Sequence, residues 1–137
     1  MFRPAVSLEQ NVSVERVFRA LADPTRVRIL HLLRDGALCV GDLVSILRVP
    51  QPTASRHLAY LRRAGLVEDE RRGQWSFYRL ARPGAVFHEK ILETLQAAES
   101  AQTRADARAL RSLRRAGGCC PQHVRATRGR AHEHRRS

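Results

Sequence analysis

Apolar positions recur at helical spacing in five stretches of the chain and alternate in one. Val14, Val17, Phe18 and Leu21 give a helix over Leu8–Ala22 its apolar face, behind a loose arm at residues 1–7. Asp23-Pro24 opens a second helix with an N-cap carboxylate and a proline at the first position. Val27, Ile29, Leu30, Leu32 and Leu33 make it apolar almost all round, so it is central core, and Asp35-Gly36 ends it. His31 lies inside that run and is expected to be a buried, hydrogen-bonded histidine rather than a metal ligand. A third helix over Cys39–Leu47 buries Val40, Leu43, Val44 and Leu47, and Arg48-Val49-Pro50 turns the chain.

The next helix is the centre of the pattern. Pro52 suits its first helical position, with Gln51 a fair N-cap, and Gly65 stops it. Ala54, Leu58 and Leu61 form one apolar stripe, and Gln51, Thr53, Ser55, Arg56 and Arg62 fall mostly off it. Short donors and acceptors at one end and guanidinium groups further along suit a major-groove reader, although a solvated amphipathic helix would show the same stripe. The segment after Gly65 tips the balance. Two β-prone runs, Leu66–Arg72 and Gln74–Leu80, flank a turn at Gly73, which is a hairpin signal. Trp75, Phe77 and Arg79 alternate with Ser76, Tyr78 and Leu80, so the strand has two faces. A helix-turn-helix leading into a hairpin tipped with Arg71 and Arg72 is a winged helix, with the tip placed to touch phosphate or minor groove.

After Arg82-Pro83-Gly84 a helix starts at Ala85, carrying Phe87, Ile91, Leu95 and Ala98 along one side with Leu92 beside them. A single rod from 85 to 115 would span about 45 Å. Ser100-Ala101-Gln102-Thr103 therefore reads as a bend between two helices, the second running to Leu113. Beyond Pro121 the composition predicts disorder.

Charge sharpens the picture. The chain has 137 residues and a formal charge of +12, which favours a polyanionic partner. Residues 1–103 hold 15 Lys/Arg against 11 Asp/Glu, and residues 104–137 hold 10 against 2, so the tail supplies most of the excess. Hydrophobic content of 43% supports one small core that dimerisation would help to complete. The expected division is a DNA-binding and dimerisation domain over residues 1–100 and a basic extension over 101–137 carrying a vicinal cysteine pair. No apolar run is long enough to span a membrane and no signal-peptide core is visible, so a cytoplasmic protein is expected. No nucleophile–base pair or phosphate-cradling glycine loop points to an enzyme.

These motifs resemble the ArsR/SmtB family of winged-helix repressors. The resemblance rests on Ala20-Leu21-Ala22-Asp23-Pro24-Thr25-Arg26-Val27-Arg28-Ile29-Leu30, on Leu38-Cys39-Val40-Gly41-Asp42-Leu43, on Ser55-Arg56-His57-Leu58 through Gly65-Leu66-Val67, and on Gly73-Gln74-Trp75-Ser76-Phe77-Tyr78-Arg79-Leu80. It covers roughly residues 15–95. It implies a mainly α winged helix-turn-helix with a β-hairpin wing, a homodimer formed through the first and last helices, and a repressor that leaves operator DNA when a metal, metalloid or redox signal binds. Gln51, Thr53, Ser55, Arg56, His57, Arg62, Arg71 and Arg72 are then the expected DNA contacts. The family's zinc site on the last helix is not matched: His88 and Glu89 lie there without spaced histidine partners, and His132 and His134 are tail residues.

The cysteines suggest the signal. The family's arsenic-responsive branch resembles Leu-Cys-Val-Cys-Asp-Leu at the third helix, and here Gly41 replaces the second cysteine. Cys119-Cys120, after Gly117-Gly118 and before Pro121, form a compensating pair on a flexible arm. Trivalent arsenic, as arsenite or methylarsenite, prefers about three thiolates, and Cys39, Cys119 and Cys120 supply three within one chain or across a dimer. The alternatives are a thiol-based redox or sulfide sensor on the same residues, another soft metal, and a Cys39 that is simply a small core residue.

Overall fold

The computed structural model describes Phe2 and residues 13–118. The described elements run α1 (Val14–Leu21), α2 (Pro24–Leu32), a 3₁₀ turn (Leu33–Asp35), β1 (Leu38–Cys39), α3 (Val40–Leu47), α4 (Gln51–Arg63), β2 (Val67–Arg72), β3 (Trp75–Leu80), α5 (Val86–Ala97) and α6 (Ala101–Arg115). The strands form one antiparallel sheet in the order β1-β3-β2. Among the described residues, no helix is long and apolar enough to cross a membrane.

Local chemistry sets the boundaries. Ser13 caps α1 by accepting the Arg16 N–H. Residues 8–12 of the helix expected over Leu8–Ala22 lie outside the described residues. Asp23 caps α2 through Oδ1, which accepts the Arg26 N–H at 3.0 Å, and Pro24 takes the first helical position. The reader helix differs slightly from expectation. Its N-cap is Pro50, Gln51 is the first helical residue and Pro52 the second, so no side chain caps it. At its far end Gly65 adopts φ 80°, and the Leu66 N–H reaches back to the Leu61 carbonyl at 3.0 Å. This left-handed stop is one that glycine adopts without steric cost. It buries Leu66 and starts β2 at Val67, both residues fully enclosed.

The hairpin closes over two residues, with Arg72 opposite Trp75 and Gly73 at φ 62° in the first turn position. Primed turns with a leading glycine match the twist of the paired strands. The two-residue strand β1 is an addition to the expected fold. Leu38 and Cys39 pair with Tyr78 and Phe77, so the sheet has three strands where a hairpin alone is expected.

The core is the packed interior of α1–α4 and the sheet, from Val17 and Ala20 through Ile29, Leu30, Leu33, Leu43, Leu58, Leu61 and Leu66. α6 closes it from outside, with Leu110 buried and Leu113 packed against the same cluster. The bend expected near residue 100 is a capping box: Ser100 Oγ accepts the Thr103 N–H at 3.1 Å, and Thr103 Oγ1 accepts the Ser100 N–H at 2.8 Å. α6 is fastened to α2 by Arg28 and Asp106.

Candidate nucleic-acid interface and thiol site

α3 and α4 meet across the Arg48-Val49-Pro50 turn, where Arg48 adopts the left-handed conformation at φ 58°. Ala54, Leu58 and Leu61 bury one stripe of α4 completely. At 100° per residue the opposite stripe carries Arg56 and Arg63, two turns apart and both exposed. Ser55 flanks that stripe on one side and Thr53 on the other, and Gln51 stands exposed in the first turn, one turn before Ser55. Gln51 Nε2 donates to Ser55 Oγ at 3.3 Å, and Arg56 Nη2 donates to Thr53 Oγ1 at 3.4 Å. These four residues form a polar edge at the N-terminal half of the helix.

The remaining expected contacts have partners of their own. His57 is turned towards α2, with Nδ1 3.3 Å from Arg26 Nη1 and 3.9 Å from Asp23 Oδ1. Arg62 Nε donates to the buried Asp69 at 2.9 Å, joining the end of α4 to β2. Arg72 pairs with Glu70 at 2.9 Å and lies over the Phe77 ring, 4.8 Å from its centre. Arg71 is exposed near the wing tip, opposite Ser76 and one pair back from the turn at Gly73 and Gln74. Sequence reasoning selects Arg62 and misses its neighbour Arg63, whose spacing of seven from Arg56 is the signal that finds it.

Cys39 is fully enclosed, packed with Phe77 and bordered by Trp75 and Phe2. It is the N-cap of α3, its Sγ accepting the Asp42 N–H at 3.4 Å, and its backbone belongs to β1. Cys119 and Cys120 lie outside the described residues. Among the described residues, no group of three His, Cys, Asp or Glu side chains is arranged to hold a metal ion.

Two histidines are buried without a role in this interface. His31 is buried as expected, but neither ring nitrogen makes a hydrogen bond, contrary to expectation. The Leu95 backbone favours the protonated ring without meeting hydrogen-bond geometry, and Arg34, Glu99 and Asp106 act on it only as charges. His88 on α5 is 1% exposed and its Nε2 has no partner.

A three-helix core whose last helix presents a polar edge, leading directly into an arginine-tipped hairpin, is a winged helix-turn-helix. Residues 23–69 match the family described as bacterial regulatory protein, arsR family. Over 96 residues the chain is 41% identical to the arsenical resistance operon repressor of Escherichia coli, covering 69% of this chain and 82% of that protein. The chain belongs to the arsR family. It is also 54% identical over 65 residues to the arsenic resistance transcriptional regulator ArsR1 of Pseudomonas putida, covering 47% of this chain and about half (51%) of that protein. The repressor SmtB of Mycobacterium tuberculosis is 49% identical over 65 residues, covering 47% of this chain and 48% of SmtB. These relatives are regulators and repressors, not enzymes. Among solved structures, HlyU from Vibrio cholerae matches with a TM-score of 0.54 at 36% identity, over 61% of this chain and 87% of HlyU. The homodimeric winged helix-turn-helix domain Mb0332 from Mycobacterium bovis matches with a TM-score of 0.53 at 33% identity, over 61% of this chain and 75% of that one.

Proposed function

We propose that the protein is a homodimeric transcriptional repressor. It holds double-stranded operator DNA and releases it when trivalent arsenic, as arsenite or methylarsenite, closes on Cys39, Cys119 and Cys120. The observation that carries the DNA reading is the outward edge of α4. Gln51, Thr53, Ser55 and Arg56 bond to one another in pairs of 3.3 and 3.4 Å, weak internal contacts that base edges and phosphates can replace. Arg63 and the wing-tip Arg71 extend the cationic surface.

The dimer reading is supported by an apolar face that this chain leaves open. Val14 is 51% exposed, Phe18 53% and Val86 70%. Phe18 of α1 meets Phe87 of α5 with ring centres 5.9 Å apart, so the two helices share one patch. Apolar patches of this kind mark association surfaces. The homodimeric M. bovis relative has the same fold.

The arsenic reading is supported by the arsenical-resistance relatives and by where Cys39 sits. Its sulfur caps the scaffold helix while its backbone pairs with the wing strand. Moving that sulfur onto a soft ion would remove a cap from α3, an interaction of about 0.5–2 kcal/mol for ordinary cap side chains. It would also disturb Leu38 and Cys39 against Tyr78 and Phe77, so reader support and wing would be perturbed together. α6 docks on α3, and the vicinal pair comes after α6 across Gly117 and Gly118.

The test is fluorescence anisotropy of the reduced protein with a duplex from its own promoter and with random duplex, alongside sedimentation. A dimer that prefers the promoter and dissociates on addition of arsenite without oxidant is expected. No promoter preference would overturn the repressor reading. Release only with an oxidant or a persulfide donor would replace arsenic by the thiol redox or sulfide reading.

A further inference from the structure

Arg26 stands at the first turn of α2, yet its side chain is spent on two other helices. Nε donates to the Ala20 carbonyl at 2.8 Å and Nη2 to the Arg19 carbonyl at 3.1 Å, both in the last turn of α1. Nη1 lies 3.3 Å from His57 Nδ1, and the guanidinium carbon sits 4.2 Å above the centre of the Tyr60 ring. His57 and Tyr60 are three residues apart on α4, on the flank of the reader nearest α2. Asp23 completes the knot by accepting the Arg26 N–H at 3.0 Å and standing 3.9 Å from His57. One planar group thus joins the C-terminal end of α1 to the middle of α4.

Only a guanidinium fits this arrangement. The carbonyls at a helix C-terminus favour a cation, and beyond the Ala22 N–H that the Arg19 carbonyl accepts at 3.2 Å they have lone pairs to offer. A rigid fork can satisfy two of them in one plane while its face stacks on an aromatic ring, which a lysine cannot do. The cation is half-buried with all three of its nitrogens engaged, so it is poorly placed to serve as a phosphate contact.

We propose that Arg26 is a positioning residue: it fixes the reader helix relative to α1 and thereby sets the half-site spacing the dimer accepts. This rests on the repressor reading above, in which α1 carries the dimer face and α4 enters the groove. Two reader helices fixed to one dimer axis demand half-sites at one separation. If the joint is loosened, each reader can still enter a groove, but the distance between the two is no longer enforced.

The experiment measures operator affinity for the wild type, Arg26→Gln and Arg26→Lys on duplexes whose central spacer is shortened or lengthened by one and two base pairs. The wild type is expected to prefer one spacing by about tenfold or more, since misplaced half-sites forfeit contacts. Arg26→Gln should flatten that preference to within about threefold, with the slope of log affinity against log salt unchanged because no phosphate contact is lost. Arg26→Lys should behave like the glutamine variant, since charge without the fork does not restore the joint. His57→Gln and Tyr60→Leu each remove one arm of the joint and should flatten the profile partly, which serves if Arg26 variants fold poorly.

A spacing profile as sharp as wild type in these variants would overturn the proposal. So would a salt slope reduced by about one in the Arg26 variants, the mark of a phosphate contact. Failure of the wild type to prefer any operator would defeat the repressor reading itself, an outcome distinct from both.

Discussion

Arg28 on α2 and Asp106 on α6 share two hydrogen bonds, Nε to Oδ2 at 2.8 Å and Nη2 to Oδ1 at 3.0 Å, across 78 residues of chain. Gln102 adds a third donor to Asp106 at 2.9 Å, and the carboxylate is almost wholly enclosed. The pair locks the register of a helix that otherwise attaches through Leu110 and Leu113. Asp106→Ala would leave a guanidinium partly buried without its anion. The expected loss is about 2–4 kcal/mol, somewhat below that of a fully buried pair because Arg28 retains some water. Replacing both partners, Arg28→Met with Asp106→Leu, should recover most of it. Urea unfolding of the two variants checks the ordering: a double variant no more stable than Asp106→Ala would mean that packing, not charge, holds α6.

The buried histidines make stability depend on pH in a definite direction. Burial, reinforced by the Arg34 guanidinium, holds His31 below its ordinary value of 6.5, and burial alone does the same for His88. Glu99 and Asp106 oppose the shift at His31 without reversing it. A histidine depressed in the folded state is neutral there, while the unfolded chain takes up its proton near 6.5. The stabilisation is therefore complete above about pH 6.5 and is lost as the pH falls below it. Urea midpoints measured from about pH 8 down to about pH 5 should decline. His88→Leu should flatten that decline, since the desolvated group is then gone. A profile equally steep in the variant would place the proton uptake elsewhere.

How far the fold is legible in the sequence depends on whether each signal is local. Asp23-Pro24 at α2, Gly65 after α4, Gly73 in the wing and the Ser100–Thr103 bend are chemical stops and starts within four residues, and each falls where the sequence places it. β1 is not legible. Two residues carry no period, and Leu38 and Cys39 become a strand only because β3 lies beside them. The same limit governs the site. Arg56 and, at its flank, Ser55 project from α4 because helical geometry alone decides it, and Gln51 is exposed because it begins the helix. Whether an arginine is committed depends on a carboxylate elsewhere: Arg62 finds Asp69 on β2 and Arg72 finds Glu70 within its own strand, while Arg63 and Arg71 stay exposed. His31 shows the converse error, since a buried imidazole suggests a partner and the helices packed around it supply none.

Under the repressor reading proposed above, the commitments of these arginines predict two kinds of DNA contact. Arg71→Gln at the exposed wing tip should weaken binding to every duplex alike and reduce the salt slope by about one, the behaviour of a phosphate contact. Arg56→Ala and Ser55→Ala, on the outward edge of α4, should narrow the gap between promoter and random duplex, by about 1–3 kcal/mol for a lost base contact. Arg62→Ala should instead lower thermal stability, because it strands the buried Asp69. Anisotropy titrations at several salt concentrations, paired with melting curves, read all of these. A wing variant that changes specificity but not the salt slope would assign Arg71 to base reading in the minor groove.

Cys39 offers a clean separation of support from sensing. Its sulfur accepts the Asp42 N–H at 3.4 Å at the head of α3, a position where a serine hydroxyl is a favoured cap. Cys39→Ser should therefore keep α3 capped, keep the sheet pairing at Phe77, and keep operator affinity close to wild type. What it removes is a soft sulfur, which under the arsenic reading proposed above is one of three ligands. Arsenite should then no longer release the DNA, and bound arsenic per chain should fall. Cys119→Ser and Cys120→Ser should each give the same loss of response without any change in folding or basal DNA affinity. Titration of DNA-bound protein with arsenite, with sulfur coordination read by X-ray absorption, distinguishes the outcomes. Release that survives Cys39→Ser but fails in the tail variants would place the sensor wholly in the vicinal pair. Release that survives all three substitutions would end the thiolate account, whether arsenic or redox.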